Sequence, residues 1–370
     1  RQYLSPTATG GKAPYSYTID GAAIPGGVTF DKTTGSFKGP AAWKPQIKKT
    51  ATGLQVSCAI AEQELYCWGE GSHAGNGAAG TVAAPTPVAA LSGKDVTDVS
   101  VGRNHSCAVA DGDLYCWGSS EHGRLGNGSE ATALITTPTK VQGDFTGKTV
   151  TAVSAGFRNT CAIADGKAYC WGEGQYGSNG NGSVDNASRP VPVTAAGTIG
   201  GATVTAITVG WQSHACAIAD SKAYCWGALG ATTSIGALGN GKSEGSKVPV
   251  AVNLPGKPVT EIGAAHGTTC AIASKEIYCW GENGYGRTGN NGSTTVPVLS
   301  PTAVKTEGTP LAGQTIKGLS VGYFHICAIV GESSGSVSCW GSGALGQMGK
   351  GTVGGANPVP RPVVAGALSG

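Results

Sequence analysis

Charge is scarce in this chain: Asp, Glu, Lys and Arg make up 13% of 370 residues and balance to a net +3. No Lys/Arg cluster gathers the positive charge, so the electrostatic footprint of a nucleic-acid or anionic-membrane binder is missing. Long hydrophobic runs are missing too. Nothing approaches the roughly 18 apolar residues of a membrane span, and no charged start with an apolar stretch marks a signal peptide. Methionine occurs once, at Met348, and the sequence starts at Arg1; it reads as a processed or truncated product, which leaves room for an export signal or membrane anchor upstream. The Glu, Lys, Leu and Ala runs that sustain long helices are also absent.

What is abundant is glycine, at 62 residues, and cysteine, at 12. A chain of many tight turns and few helix formers belongs to the all-β class. A propeller or barrel can absorb this length around one closed core, so length forces no split.

The cysteines fall in pairs, with none left over: Cys58 and Cys67, Cys107 and Cys116, Cys161 and Cys170, Cys216 and Cys225, Cys270 and Cys279, and Cys327 and Cys339. In "TCAIADGKAYCWG" (160–172), a two-residue hairpin turn at Asp165-Gly166 sets Ala164 against Lys167, Ile163 against Ala168 and Cys161 against Cys170. The cysteines then occupy a non-hydrogen-bonded rung, where the strands approach closely enough for a disulfide. The same counting serves the four other pairs of equal spacing, although Glu62-Gln63 and Ser274-Lys275 are poor turn formers. The sixth copy has a longer loop, "GESSGS". Each bond closes a short loop worth roughly 2 to 3 kcal/mol, and six of them imply an oxidising, extracellular or cell-surface location. Zinc would need four convergent ligands where each hairpin offers two, and His105, His214 and His325 precede a cysteine in only half the copies. No metal or cofactor is expected.

Successive first cysteines lie 49, 54, 55, 54 and 57 residues apart, the period of a four-stranded propeller blade. Along each hairpin, Cys161, Ile163, Ala168 and Cys170 share one face, while Ala162, Ala164, Tyr169 and Trp171 share the other. A sheet apolar on both faces must be sandwiched, so the alanine/aromatic face of one blade should pack on the cysteine/isoleucine face of its neighbour.

The phrase "VGRNHSCAVADGDLYCWGSSEHGRLGNGS" (101–129), returning six times from about Pro45 to the C-terminus, resembles the repeat of the regulator of chromosome condensation family in a cysteine-rich bacterial extracellular form. The resemblance implies a single β-propeller of four-stranded blades over 45–370, with Trp171-type tryptophans within or between blades. Six blades are expected, seven being the alternative. "PVVAGALSG" at the end resembles "PVAALSGK" (87–94) and is expected to meet "QIKKTATG" (46–53) and close the ring.

Residues 1–44 carry no copy of the repeat. "GGKAPYSYTI", "IPGGVTFD" and "TTGSFKGP" are similar to immunoglobulin-like domains of bacterial surface proteins, and strands are expected around Tyr15–Ile19 and Val28–Phe30. About three strands are too few for an independent sandwich, so this is a partial domain begun upstream, a connector, or the lower part of a pilin-like subunit whose helix was removed.

Two motifs look catalytic and lack their context. "GALGNGKS" (236–243) matches a phosphate loop with Lys242 and Ser243, yet it coincides with the repeat's own turn. "GESSG" would make Ser333 a nucleophile, yet it is a hairpin turn. With no acid/base constellation either, the chain reads as non-enzymatic.

In a repeat protein, equivalent positions that vary are free to serve contact. The most variable are Leu54, Arg103, Phe157, Trp211, His266, Tyr323 and Phe324, which a ring of blades gathers at one channel mouth, either as a binding hot spot or as a plug. A second set lies in the Gly/Asn loops: His73, His122, Arg124, Tyr176, Tyr285 and Arg287. The expected function is a binding or adhesion module on a bacterial surface or pilus-like filament. It would engage a protein or glycan partner at one face, and neighbouring filament subunits could also be partners. The resemblance also implies two alternatives: a secreted inhibitor of a hydrolase such as a β-lactamase, and nucleotide exchange on a GTPase, which the disulfides oppose.

Overall fold

The structure is a computed structural model that describes residues 29–31, 36–38 and 46–364, except loop stretches at 78–79, 144, 146, 194–198, 212–213, 233 and 332–334. The chain divides into two units, Arg1–Lys48 and Lys49–Gly370. In the first, Thr29–Asp31 and Ser36–Lys38 pair as a short antiparallel hairpin. The strand expected around Tyr15–Ile19 lies outside the described residues.

Six four-stranded antiparallel sheets follow, each in sequential strand order, and together they form a six-bladed all-β propeller. Blade 1 holds Ile47–Thr52, Val56–Ala61, Glu64–Glu70 and Thr81–Pro87; blade 2 holds Val96–Val101, His105–Ala110, Asp113–Ser119 and Leu134–Lys140. Blade 3 holds Val150–Ala155, Asn159–Ala164, Lys167–Gly172 and Ala187–Pro192; blade 4 holds Val204–Val209, His214–Ala219, Lys222–Gly227 and Ser246–Ala251. Blade 5 holds Val259–Ala265, Thr268–Ala273, Glu276–Gly281 and Val298–Ala303; blade 6 holds Ile316–Val321, His325–Val330, Ser336–Ser342 and Ala356–Pro362.

The middle hairpin of each blade has the register its cysteines demand. Cys161 lies opposite Cys170 and Ala164 opposite Lys167, and even the longer sixth loop leaves Cys327 opposite Cys339. Each expected disulfide is formed within its own blade. Cys58 is bonded to Cys67 in blade 1, Cys107 to Cys116 in blade 2, and Cys161 to Cys170 in blade 3. Cys216 is bonded to Cys225 in blade 4, Cys270 to Cys279 in blade 5, and Cys327 to Cys339 in blade 6. All six bonds join Cα atoms 4.0–4.1 Å apart, the close rung of an antiparallel ladder. Both turn residues take positive φ in blades 2 to 5, including the unfavourable Ser274 and Lys275.

The two apolar faces pack between blades as their composition requires. One core joins Cys161, Ile163, Ala168 and Cys170 of blade 3 to Ala215, Ala217, Ala219, Tyr224 and Trp226 of blade 4, and four equivalent cores join the other consecutive pairs. Each is pinned by an indole. Trp117, Trp171, Trp226, Trp280 and Trp340 donate Nε1–H to the carbonyls of His73, Arg124, Ser178, Ala237 and Arg287 in the preceding blade, at 2.8–3.0 Å. The indole lies so near the loop that a Cβ on Gly126 would stand 2.8 Å from Trp171 Nε1, and Gly126 also has φ 67°; only glycine meets both demands.

A second set of ties links the first strands. Ser100, Ser154 and Thr208 hydroxyls accept the N–H groups of Ala155, Val209 and Ala264 in the next blade.

Blades 6 and 1 depart from this pattern. Ile329, at the Ile163 position, is 49% exposed, whereas Ile163 is 2% exposed. Ser320, at the Ser154 position, is exposed, and Trp68 in blade 1 is only half-buried while its five counterparts are at 0%. Among the described residues the seam between blades 6 and 1 is thus less covered than the five interfaces between consecutive blades. The closure expected of "PVVAGALSG" against residues 46–53 falls on a segment of which residues 365–370 lie outside the described residues.

Candidate functional site

The loop between the first and second strands of each blade is set by close backbone approach. A Cβ on Gly102 would stand 2.3 Å from the Gly156 carbonyl of the next blade, and Arg103 N–H donates to that carbonyl at 3.1 Å. The residues after these glycines are thereby presented side by side on one face.

Two clusters result. In the first, Trp211 of blade 4 meets Tyr323 of blade 6 edge-on at 5.7 Å between ring centroids, reaching past blade 5. His266 of blade 5 lies 4.2 Å from Tyr323 and 5.6 Å from Phe324, and Tyr285 adds a ring 5.9 Å from Phe324. In the second, the guanidiniums of Arg103 and Arg158 each lie over the Phe157 ring, at 4.3 and 5.2 Å from its centroid. Leu54 is exposed on blade 1.

The Gly/Asn loops underpin this face instead of forming a separate surface. Arg124 and Arg287 are each 1% exposed, so these two cations serve as scaffold. Arg287 Nη1 donates to the Tyr323 carbonyl at 3.0 Å, and its Nη2 pairs with Glu282 at 2.8 Å. Arg124 reaches the Phe157 carbonyl at 3.5 Å and pairs with Glu121 at 2.8 Å. Burial pushes the Arg124 guanidinium below its ordinary value, and the Glu121 carboxylate opposes that shift. His73 pairs with Glu70 at 2.7 Å. His122 lies 3.6 Å from Glu121 and 3.9 Å from Glu173. Tyr176 lines a cleft of about 350 Å³ with Phe157, Arg158, Glu173 and Trp211, which connects the two clusters.

Acidic residues that hold this face escaped the sequence reading. Besides Glu70, Glu173 pairs with Arg158 at 2.8 Å, and Glu282 takes a hydrogen bond from His266 at 2.9 Å. Burial alone would raise the Glu282 carboxyl, but the His266 bond and the Arg287 charge bring it below its ordinary value. The signal was present: "CWGE" occurs three times, ending at Glu70, Glu173 and Glu282.

The phosphate-loop lookalike is a turn here. Gly236, Gly239 and Gly241 all have positive φ, Gly239 abuts Trp280, and the strand Ser246–Ala251 follows where phosphate chemistry needs a helix. Ser333 lies outside the described residues. Among the described residues no group of three His, Cys, Asp or Glu could hold a metal.

Comparison with known proteins agrees with this architecture. Among solved structures, human WBSCR16 superimposes with a TM-score of 0.72 at 20% identity, over 87% of this chain and 83% of that one. Prp20p of Saccharomyces cerevisiae gives 0.70 at 20% identity, over 87% and 77%. The E3 ubiquitin-protein ligase HERC2 of Homo sapiens is 29% identical over 328 residues, covering 86% of this chain but 6% of that much longer protein. The ultraviolet-B receptor UVR8 of Arabidopsis thaliana is 30% identical over 317 residues, which is 83% of this chain and 67% of the receptor. Residues 62–109, 111–163 and 165–218 each match the regulator of chromosome condensation (RCC1) repeat, and the chain belongs to that family.

Proposed function

We propose that the chain is an extracellular, non-enzymatic binding module that grips a protein partner through the loop face of its propeller. The observation that carries this reading is the convergence of Trp211, His266, Tyr323, Phe324 and Tyr285 from blades 4 to 6, beside the Arg103–Phe157–Arg158 stack. Aromatic and arginine side chains on rigid, half-buried loops are the residues that dominate protein interfaces. Yeast Prp20p, which shares the fold, has been described bound to the protein Kap60. Six disulfides support an oxidising compartment, and the resemblance of residues 1–44 to immunoglobulin-like segments supports display on a bacterial surface or filament.

The test is capture and identification of partners on immobilised wild-type chain, compared with Trp211→Ala and Tyr323→Ala. Loss of the same partner from both variants, with melting temperatures unchanged to within a few degrees, is expected. Recovery unaffected by either substitution overturns the assignment to this face. A glycan partner would instead be read as loss of capture after deglycosylation of the ligand pool.

A further inference from the structure

The interface between blades 3 and 4 is trimmed at three positions where the one before it is full. Between blades 2 and 3, His105 Nε2 meets the Thr160 hydroxyl at 2.8 Å, and the buried Arg124 reaches the Phe157 carbonyl of the next loop. Between blades 3 and 4 the histidine is replaced by Asn159, the threonine by Ala215 and the arginine by Ser178. The registers fix these equivalences: Asn159 lies opposite Gly172 as His105 lies opposite Gly118, and Ala215 opposite Trp226 as Thr160 opposite Trp171. Likewise the Ser178 carbonyl accepts the Trp226 indole N–H as the Arg124 carbonyl accepts that of Trp171. Each replacement is the smaller side chain. The cleft of about 350 Å³ stands at this interface and is lined by both Asn159 and Ser178, and its size is that of a small-ligand site.

The trimming also leaves a donor unused. Asn159 is 4% exposed, and among the described residues its Nδ2 has no hydrogen-bond partner. A buried amide N–H without an acceptor is a standing cost that a ligand oxygen relieves. The cleft walls combine the rings of Phe157, Tyr176 and Trp211 with polar groups from Arg158, Glu173 and Thr232. Arg158 and Glu173 pair at 2.8 Å, so their charges offset each other and the cleft does not select an ion.

We propose that this cleft binds one pyranose ring of a glycan. A pyranose has an apolar C–H face that an aromatic ring covers, and a rim of hydroxyls that each donate and accept. Glu173 offers an acceptor, Asn159 and Arg158 offer donors, and Thr232 offers both. An aliphatic peptide side chain would leave Asn159 unmet, and a charged one would break the Arg158–Glu173 pair. A tyrosine would bring a single hydroxyl to a wall with several polar groups. The sugar site goes beyond the protein-binding reading and does not rest on it: Trp211 serves both, but Asn159 and Ser178 belong to the cleft alone.

The probe is a panel of methyl glycosides of glucose, galactose, mannose, fucose, N-acetylglucosamine and N-acetylgalactosamine, each titrated into the full chain with saturation-transfer NMR as the readout. Saturable transfer to at least one of them is expected. Its affinity should fall at least tenfold with Ser178→Arg, which puts the blade 2 arginine back into the cleft, and with Asn159→Leu, which keeps the size and removes the donor. Melting temperatures of both variants separate loss of the site from loss of the fold, and Ser178→Arg decides, because this fold already holds an arginine at that position in blades 2 and 5. No saturable transfer to any glycoside, or transfer that survives Ser178→Arg, overturns the proposal. So does a protein partner that Ser178→Arg excludes and the glycosides do not displace, which would make the cleft an anchor for a peptide side chain. A partner lost from Trp211→Ala and Tyr323→Ala, with no glycoside bound by the wild type, would sink the sugar site and leave the protein-binding face standing.

Discussion

The interface between blades 3 and 4 and the seam between blades 6 and 1 are built from nearly the same residues and have opposite fates. At the first, Cys161, Ile163, Ala215 and Trp226 are sealed from solvent. At the second, Ile329 and Trp68 present the same side-chain types to solvent or half to solvent. Pattern decides which surfaces must be covered, and the presence of a neighbour decides which are. Ile329 therefore keeps a core-type side chain in contact with solvent.

The largest effect expected from that comparison is on tryptophan. Trp171→Ala empties a fully buried site and removes one of the two donors to the Arg124 carbonyl, leaving only the Thr160 hydroxyl; large-to-small core changes of this kind cost about 3–5 kcal/mol. Trp68→Ala removes a half-buried ring whose indole makes no hydrogen bond among the described residues, and should cost about 1 kcal/mol or less. Urea unfolding with a constant m-value measures both, and equal costs would mean that blade 1 is as fully packed as blade 3.

Acid should separate the same two regions. Burial depresses His214 to about 4, with His266 adding repulsion, and pushes His105 well below its ordinary value. A histidine held neutral in the folded state and free to protonate when unfolded contributes stability above about pH 6.5, lost progressively as pH falls towards 4. For His214 the loss approaches roughly 3 kcal/mol. His325 at the seam is lowered by partial burial alone and contributes less. Stability measured from pH 7 to 4 should therefore flatten in His214→Gln and change little in His325→Gln; similar flattening in both would place His325 in a closed interface.

Much of this fold is written locally. Asp165-Gly166 sets the turn, the turn sets the register, and the register alone puts Cys161 against Cys170 and sorts Ile163 from Ala162 onto opposite faces. The seam is not written that way: "HICAIV" around Ile329 and "NTCAIA" around Ile163 carry one pattern, and exposure depends on whether a blade follows. The candidate face was half legible. Variability singled out Phe157, Trp211, His266 and Tyr323, which do converge, but Arg124 and Arg287 look like free loop cations in sequence. They are buried because each side chain folds back towards the next blade's loop carbonyl, a long-range partner that composition does not reveal. Their acidic anchors Glu121 and Glu282 are legible only once the arginines are known to be inside.

The finest discrimination lies in a single hydroxyl. Ser154 Oγ accepts the Val209 N–H of the next blade at 2.9 Å, and Val209 is buried, so Ser154→Ala leaves a backbone donor without an acceptor and should cost about 1–3 kcal/mol. Ser320 occupies the same position in blade 6 and is exposed, with no N–H donor among the described residues, so Ser320→Ala should change stability by no more than about 0.5 kcal/mol. The difference should appear as a shift in the urea midpoint for Ser154→Ala alone. A midpoint shift for Ser320→Ala would show instead that this hydroxyl too is engaged.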